Sequence, residues 1–266
     1  MTAAELVQRA LEEDIGSGDV TTELSVPAGR QAHGTFIVRE QVVVAGVELL
    51  PLIYQHVEIK TPSGTLLNPG QEIASVRGTA RELLTHERVA LNFLQHLSGV
   101  ATLARKFADK VEGTGCRILD TRKTIPGLRE LEKMAVRAGG ATNHRMGLFD
   151  AVLIKNNHIT AAGGVRAALA ATHNASVPVE IEVRTRAELD EALACGAKML
   201  LLDNLTPAEA KEWVRYIDHR ATVEISGGIT LDTVRAYAES GADFVSAGAM
   251  THSARAVDIH FRLELD

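Results

Sequence analysis

Arg122 and Lys123 stand side by side in DTRKTIPGLR, residues 120–129, directly after the apolar run Cys116–Leu119. Two adjacent cations at the end of an apolar segment repel one another unless an anion meets them. Similar placements recur downstream. Lys155 follows AVLI (151–154), Glu182 lies within VEIEV (179–183) and Asp203 ends MLLLD (199–203). Ser226-Gly227-Gly228 closes the run beginning TVEI, and Gly248 ends FVSAG (244–248). Arginine and lysine neutralise carboxylates and phosphates, while carboxylates suit a hard cation or sugar hydroxyls. Together these types describe a site for polyanionic reactants. VEIEV alternates, so Glu180 and Glu182 point the same way. An inward carboxylate needs a cation or hydroxyl to meet it. Glu182 and Asp203 could pair with Lys155 or Arg122; Mg²⁺ or ribose hydroxyls are the favoured partners.

SGGIT (226–230) and AGAMTHS (247–253) are consecutive glycine-bearing turns after apolar runs. Glycine lets backbone N–H groups approach a phosphate, and a helix beginning near Leu231 would add its dipole. The charge distribution agrees. Residues 117–155 carry eight Lys/Arg against four acids, a local +4 in a chain of net −6. Arg129, Glu130, Glu132, Lys133 and Arg137 have spacings that pair on a solvated helix face. That leaves Arg122, Lys123, Arg145 and Lys155 as candidates for a small anionic ligand.

The elements that position these residues show two regimes. The chain has 266 residues, is 45% hydrophobic and contains two cysteines. Acidic net charge argues against nucleic-acid or anionic-membrane binding. Two cysteines imply no disulfide framework, and no apolar run has the length of a membrane span. The N-terminus reads as an amphipathic acidic helix, not a signal peptide, which implies a cytoplasmic protein.

Up to about residue 80, a helix over 3–13, extended segments at 32–45, 57–60 and 72–77, and a helix over 47–55 suggest a small α+β domain. A helical region over 81–111 follows, with a break expected at Ser98-Gly99. Beyond residue 115 there are six short apolar strands. The last four begin 20 to 23 residues apart, with helices over 164–171, 186–195, 207–216 and 231–240. This spacing predicts a parallel α/β barrel, whose active site lies at the carboxyl ends of the strands. A weaker seventh strand is expected around 141–147.

The motifs DTRKTIPGLR, GGATNHR (139–145), LIKNNH (153–158), VEIEV, LLLDN, SGGI and THS occur in that order. They follow EDIGSGDVTTE (13–23) and ERVALNFLQHLSGVAT (87–102). The whole set resembles the quinolinate phosphoribosyltransferase family. The resemblance implies an N-terminal α/β sandwich (1–105), completed by the tail 255–266. It also implies an incomplete, TIM-like seven-stranded α/β barrel over 106–254. It implies a homodimer or higher homo-oligomer with a shared active site. The implied reaction joins quinolinate and phosphoribosyl pyrophosphate (PRPP), with Mg²⁺, to give nicotinate mononucleotide, pyrophosphate and CO₂.

By resemblance, Arg122, His144, Arg145 and Lys155 surround the quinolinate dicarboxylate, with Thr121 beside them and Arg88 reaching in from the neighbouring subunit. Lys123 meets PRPP phosphates. Glu182 and Asp203 face the ribose and its Mg²⁺, and with Lys123 and Lys155 they form the implied catalytic set. Ser226, Gly227, Gly228, Gly248, Ala249, Met250 and His252 hold the 5′-phosphate. Met134, Ala141, Asn156 and Met250 depart from the family pattern, and none removes a charged ligand. Two rivals are a Schiff-base barrel aldolase using Lys155 and a molybdate-operon-linked relative with another anionic ligand.

Overall fold

The computed structural model describes residues 2–266. These form two compact units, one of residues up to 105 with 125–140 and 253–266, the other of 106–124 and 141–252. Residues 125–140, inside the expected barrel span, thus cluster with the first unit.

In the first unit α1 (Ala3–Ile15) opens on a capping box. Thr2 Oγ1 accepts the Glu5 N–H at 3.2 Å, and Glu5 Oε2 accepts the Thr2 N–H at 2.7 Å. A second helix, α2 (Val20–Ser25), was not anticipated; Asp19 caps it by accepting the Thr22 N–H. The strands are β1 (Gln31–Val38), β2 (Val42–Val43), β3 (His56–Ile59), β4 (Leu66–Leu67) and β5 (Glu72–Thr79). β1 lies antiparallel between β5 and the C-terminal strand Ile259–Leu265, with β3 beyond β5. The tail therefore supplies an edge strand of this sheet. The helix expected over 47–55 is shorter: a 3₁₀ turn at Val47–Leu49 leads into α3 (Leu50–Ile53). Pro51 is tolerated there because it sits in the first turn.

Two expectations fail for a shared reason: packing overrides local signal. The long helix α4 (Ala80–Val111) is unbroken at Ser98-Gly99. Ser98 Oγ accepts the Ala45 N–H at 3.0 Å, and a Cβ on Gly99 would lie 2.0 Å from the Arg255 carbonyl oxygen. Those small residues allow close approach rather than a turn. In α5 (Arg129–Ala138) the face expected in solvent is partly core, for Glu132 and Lys133 are fully buried. Glu132 Oε1 meets His96 Nε2 at 2.8 Å, and its Oε2 accepts the Ile125 N–H at 3.1 Å.

The second unit is a parallel barrel. Its strands are β6 (Arg117–Leu119), β7 (Val152–Ile154), β8 (Val179–Val183), β9 (Met199–Asp203), β10 (Thr222–Ser226) and β11 (Phe244–Ser246). Their order is β6-β11-β10-β9-β8-β7. The seventh strand shrinks to one parallel bridge between Thr142 and Leu119. Beyond Thr142 the backbone donors turn to side chains instead of a neighbouring strand.

Helices α6 (Asn156–Ala162), α7 (Val165–Ala171), α8 (Arg186–Ala194), α9 (Pro207–Ile217), α10 (Val234–Ala238) and α11 (Ala249–His252) complete the unit. α10 starts three residues later than expected, after a turn in which Thr233 Oγ1 accepts the Thr230 N–H. Alternation sorts the strand residues. Ile181, Val183, Leu200, Leu202, Val223 and Ile225 are fully or almost fully buried. The opposite parity carries Glu180, Glu182, Leu201, Asp203, Glu224 and Ser226. Glu182, Leu201 and Glu224 share one level of the sheet, and Asp203 and Ser226 the next.

Candidate active site

Asp120, just past β6, is fully buried. Its Oδ2 accepts from Asn143 Nδ2 at 2.6 Å and its Oδ1 from the His144 N–H at 2.8 Å. The same pattern continues along the chain. The Arg145 N–H donates to His144 Nδ1 at 2.7 Å, and Met146 and Gly147 donate to the Asp150 carboxylate at 2.6 and 2.9 Å. Successive amides of an irregular loop are thus each satisfied by a side chain, which fixes the backbone without a strand partner. Arg145 Nη1 donates to the Ala151 carbonyl at 3.0 Å. Burial, and next the positive charge of Arg122, hold the Arg145 pKa below the usual guanidinium range. Arg122 Nε is shut off from solvent and has no hydrogen-bond partner among the described residues. Two guanidinium groups in each other's field, one with an unmet buried donor, have the chemistry to receive a carboxylate.

Behind them, His144 Nε2 lies 3.4 Å from Glu180 Oε2 and 3.3 Å from Glu224 Oε2. Burial opposes a charge on the ring. Hydrogen bonds to Glu180 and Glu224, with their charges, outweigh it and push the His144 pKa up to about 9. Burial also raises the Glu180 pKa, and the His144 bond only partly counters it. The three residues offer possible metal-ligand atoms within 4.8 Å of one another. The donor set does not suit a metal, because an imidazole bound through Nε2 carries its proton on Nδ1, where the Arg145 N–H already points.

Glu182, level with Glu224, is buried and accepts a backbone hydrogen bond from Asn156. Burial, then the charge of Asp203, raises its pKa; the Asn156 bond and Lys155 counter this. Asp203 Oδ1 accepts from Ser226 Oγ at 2.8 Å, and its Oδ2 from Asn204 Nδ2 at 2.6 Å. Lys155 itself is exposed. Gly227 has φ of +103°, and a Cβ there would lie 2.7 Å from the Asn204 backbone nitrogen. A Cβ on Gly248 would lie 2.9 Å from Lys123 Cδ, 3.1 Å from His252 Cδ2 and 3.2 Å from Thr121 Oγ1. Thr251 Oγ1 donates to the Lys123 carbonyl at 2.8 Å, tying the two loops.

The helix dipole expected behind Ser226–Gly228 is not adjacent, since α10 begins at Val234 and α11 is a single turn. Met250 is fully buried, backbone included.

Residues 19–98 match the family model described as "Quinolinate phosphoribosyl transferase, N-terminal domain", and residues 100–262 match its C-terminal counterpart. The chain belongs to the quinolinate phosphoribosyltransferase family. It is 42% identical to the carboxylating nicotinate-nucleotide pyrophosphorylase of Mycobacterium leprae, covering 97% of this chain and 95% of that one. It is 37% identical to a Bacillus subtilis protein named as probably the same activity, covering 95% and 90%. The nicotinate-nucleotide pyrophosphorylase structure from Ehrlichia chaffeensis superposes with a TM-score of 0.94 at 35% identity, covering 99% of each chain.

Of the family's expected site residues, the barrel unit carries Thr121, Arg122, Lys123, His144, Arg145, Lys155, Glu182 and Asp203 and both glycine loops. Arg88 lies on α4 in the first unit. Sequence reasoning missed Asp120, Asp150 and Glu224. Glu224 had a signal: in TVEIS it shares the inward parity of Ser226, as Glu180 shares that of Glu182.

Proposed function

We propose that this chain joins the pyridine nitrogen of quinolinate to C1 of the PRPP ribose, releasing pyrophosphate and then CO₂ to leave nicotinate mononucleotide. The observation that carries this reading is the Arg122–Arg145 pair with its unmet Nε donor. Planar forks match planar carboxylates, and quinolinate has two. Lys155 and, from a second subunit, Arg88 add further positive charge. A homodimer with a shared site is part of the proposal.

Bringing two polyanions together costs Coulomb energy unless cations neutralise them away from bulk water. Lys123, laid over Gly248, faces the PRPP phosphates together with the Ser226–Gly228 and Gly248–His252 backbone. Loss of pyrophosphate leaves positive character on the ribose, which the Glu182 and Asp203 carboxylates offset. Burial, and next the charge of Asp203, raises the Glu182 pKa, and two carboxylates side by side are a local excess of negative charge, as a hard divalent cation requires. Mg²⁺ held there with PRPP would neutralise the departing pyrophosphate. The pyridine nitrogen is the nucleophile, so no serine or cysteine is needed. Once that nitrogen is bonded to the ribose, the ring accepts the electron pair released as the adjacent carboxylate leaves. The protein's share in that step is orientation.

The aldolase alternative has no support. A Schiff-base lysine is activated by burial, and Lys155 is exposed. Purified protein given quinolinate, PRPP and Mg²⁺ should release CO₂ and pyrophosphate in equal amounts. Release of neither would refute the reading.

A further inference from the structure

We propose that His96 and Glu132 are positioning residues for Arg122: His96 holds the Glu132 carboxylate, and that carboxylate fixes the backbone of the Arg122–Lys123 loop at Ile125. The proposal deepens the functional reading above and rests on it for which substrate each cation meets. Glu132, on α5, is fully buried. Its Oε1 lies 2.8 Å from His96 Nε2 on α4, and its Oε2 accepts the Ile125 N–H at 3.1 Å. Among the described residues the carboxylate has no other hydrogen-bond or ion-pair partner. A carboxylate taken wholly out of water is costly unless its oxygens are met. What this one holds is a single loop amide, and without His96 it would keep only that one donor.

The place of that amide gives the pair its task. The chain passes from the barrel unit to the first unit between Thr124 and Ile125, directly after the two cations. Ile125 opens a tight turn through Pro126 and Gly127, and its carbonyl accepts the Leu128 N–H at 3.0 Å. With its N–H held by Glu132, both backbone groups of Ile125 are fixed. Upstream, the two cations are anchored differently. Lys123 donates its N–H to Thr121 Oγ1 at 3.1 Å, and its carbonyl accepts from Thr251 Oγ1 at 2.8 Å. The Arg122 carbonyl accepts the Thr124 N–H at 3.0 Å, and Thr124 is bonded directly to Ile125. Arg122 Nε has no hydrogen-bond partner among the described residues, so the backbone that carries this side chain sets its direction. Loosening Ile125 therefore displaces Arg122, whereas Lys123 keeps Thr121 and Thr251.

The test uses the full chain. Amide hydrogen exchange is first followed in the parent without substrate. Ile125 should be protected like an amide inside a helix, although it lies in a loop. Exchange at the rate of an exposed loop amide would overturn the proposal. His96→Leu removes the partner of Glu132 and should speed Ile125 exchange about tenfold. The amides of Leu83 on α4 and Val136 on α5, both fully buried, should keep their rates. The same variant should raise KM for quinolinate about tenfold and leave KM for PRPP within about threefold. His96→Gln offers an amide N–H in place of Nε2 and should bring Ile125 exchange and the quinolinate KM back to within about threefold of the parent. Equal rises in both KM values, faster exchange at Leu83 and Val136 as well, or no difference between Leu and Gln would show a merely structural role and overturn the proposal. If His96→Leu does not fold, Ile125 exchange in the parent decides. If the parent releases no CO₂ from quinolinate, the functional reading fails, while Ile125 exchange still tests the anchor.

Discussion

The corner made by Arg122, His144 and Arg145 and the rim made by Ser226–Gly228 and Gly248–His252 both face anions in the proposed reaction, yet they are built differently. At the corner, side chains do the holding: Asp120, His144 and Asp150 cap successive amides, and Glu180 and Glu224 lie buried behind them. At the rim, glycines bring the backbone close, and the adjoining helices are too short or too distant to contribute much. The difference follows from the ligands. A planar dicarboxylate is selected by forks at fixed angles, which requires a rigid frame. A phosphate is nearly spherical and can be met by N–H groups from several directions. Damage at the corner should therefore destroy recognition of one substrate, and damage at the rim should weaken the other by degrees.

The largest effect is expected for Arg122→Ala. Truncating one partner of a buried charge contact costs ~2–5 kcal/mol, so kcat/KM for quinolinate should fall by about a thousandfold with the thermal transition little changed. Parental turnover in that variant would remove the corner from the substrate site. Gly227→Ala comes next. It forces a Cβ against Asn204 at a left-handed φ, a strain of ~1–3 kcal/mol. Denaturant unfolding should show a stability loss of that order, and KM for PRPP should rise because Asn204 bonds Asp203. An unchanged unfolding midpoint would mean the loop relaxes freely. The smallest effect is expected for Gly248→Ala, where the obstacle is the flexible Lys123 side chain. An off-rotamer lysine costs ~0.5–1.5 kcal/mol, so KM for PRPP should rise about three- to tenfold while KM for quinolinate holds. A quinolinate-specific change would reverse the assignment of the two regions.

The contrast also explains what could be read from sequence. The rim and the strand-end charges were legible, because βα spacing places Lys155, Asp203, Ser226 and Gly248 without knowledge of packing. The corner was legible only in its cations. Asp120 reads as an ordinary acid before a turn, and its full burial depends on Asn143 and His144 returning from a distant part of the chain. The seventh strand failed for the same reason, since its amides after Thr142 are satisfied by side chains that no period-two pattern announces. Ser98-Gly99 looked like a helix break because composition cannot tell a flexible pair from one that admits a neighbouring backbone. Glu132 and Lys133 looked solvated because helical spacing shows which residues can pair, not which face is covered.

The central claim is that a fixed pair of guanidinium groups recognises both carboxylates of the pyridine substrate. The direct measurement compares quinolinate with nicotinate, which lacks the second carboxylate, by calorimetric titration of the same protein in the presence of Mg²⁺. Quinolinate should bind at least a hundredfold more tightly, and Arg122→Ala should abolish most of that preference. Equal affinity for the two acids, or a preference that survives in Arg122→Ala, would contradict the account.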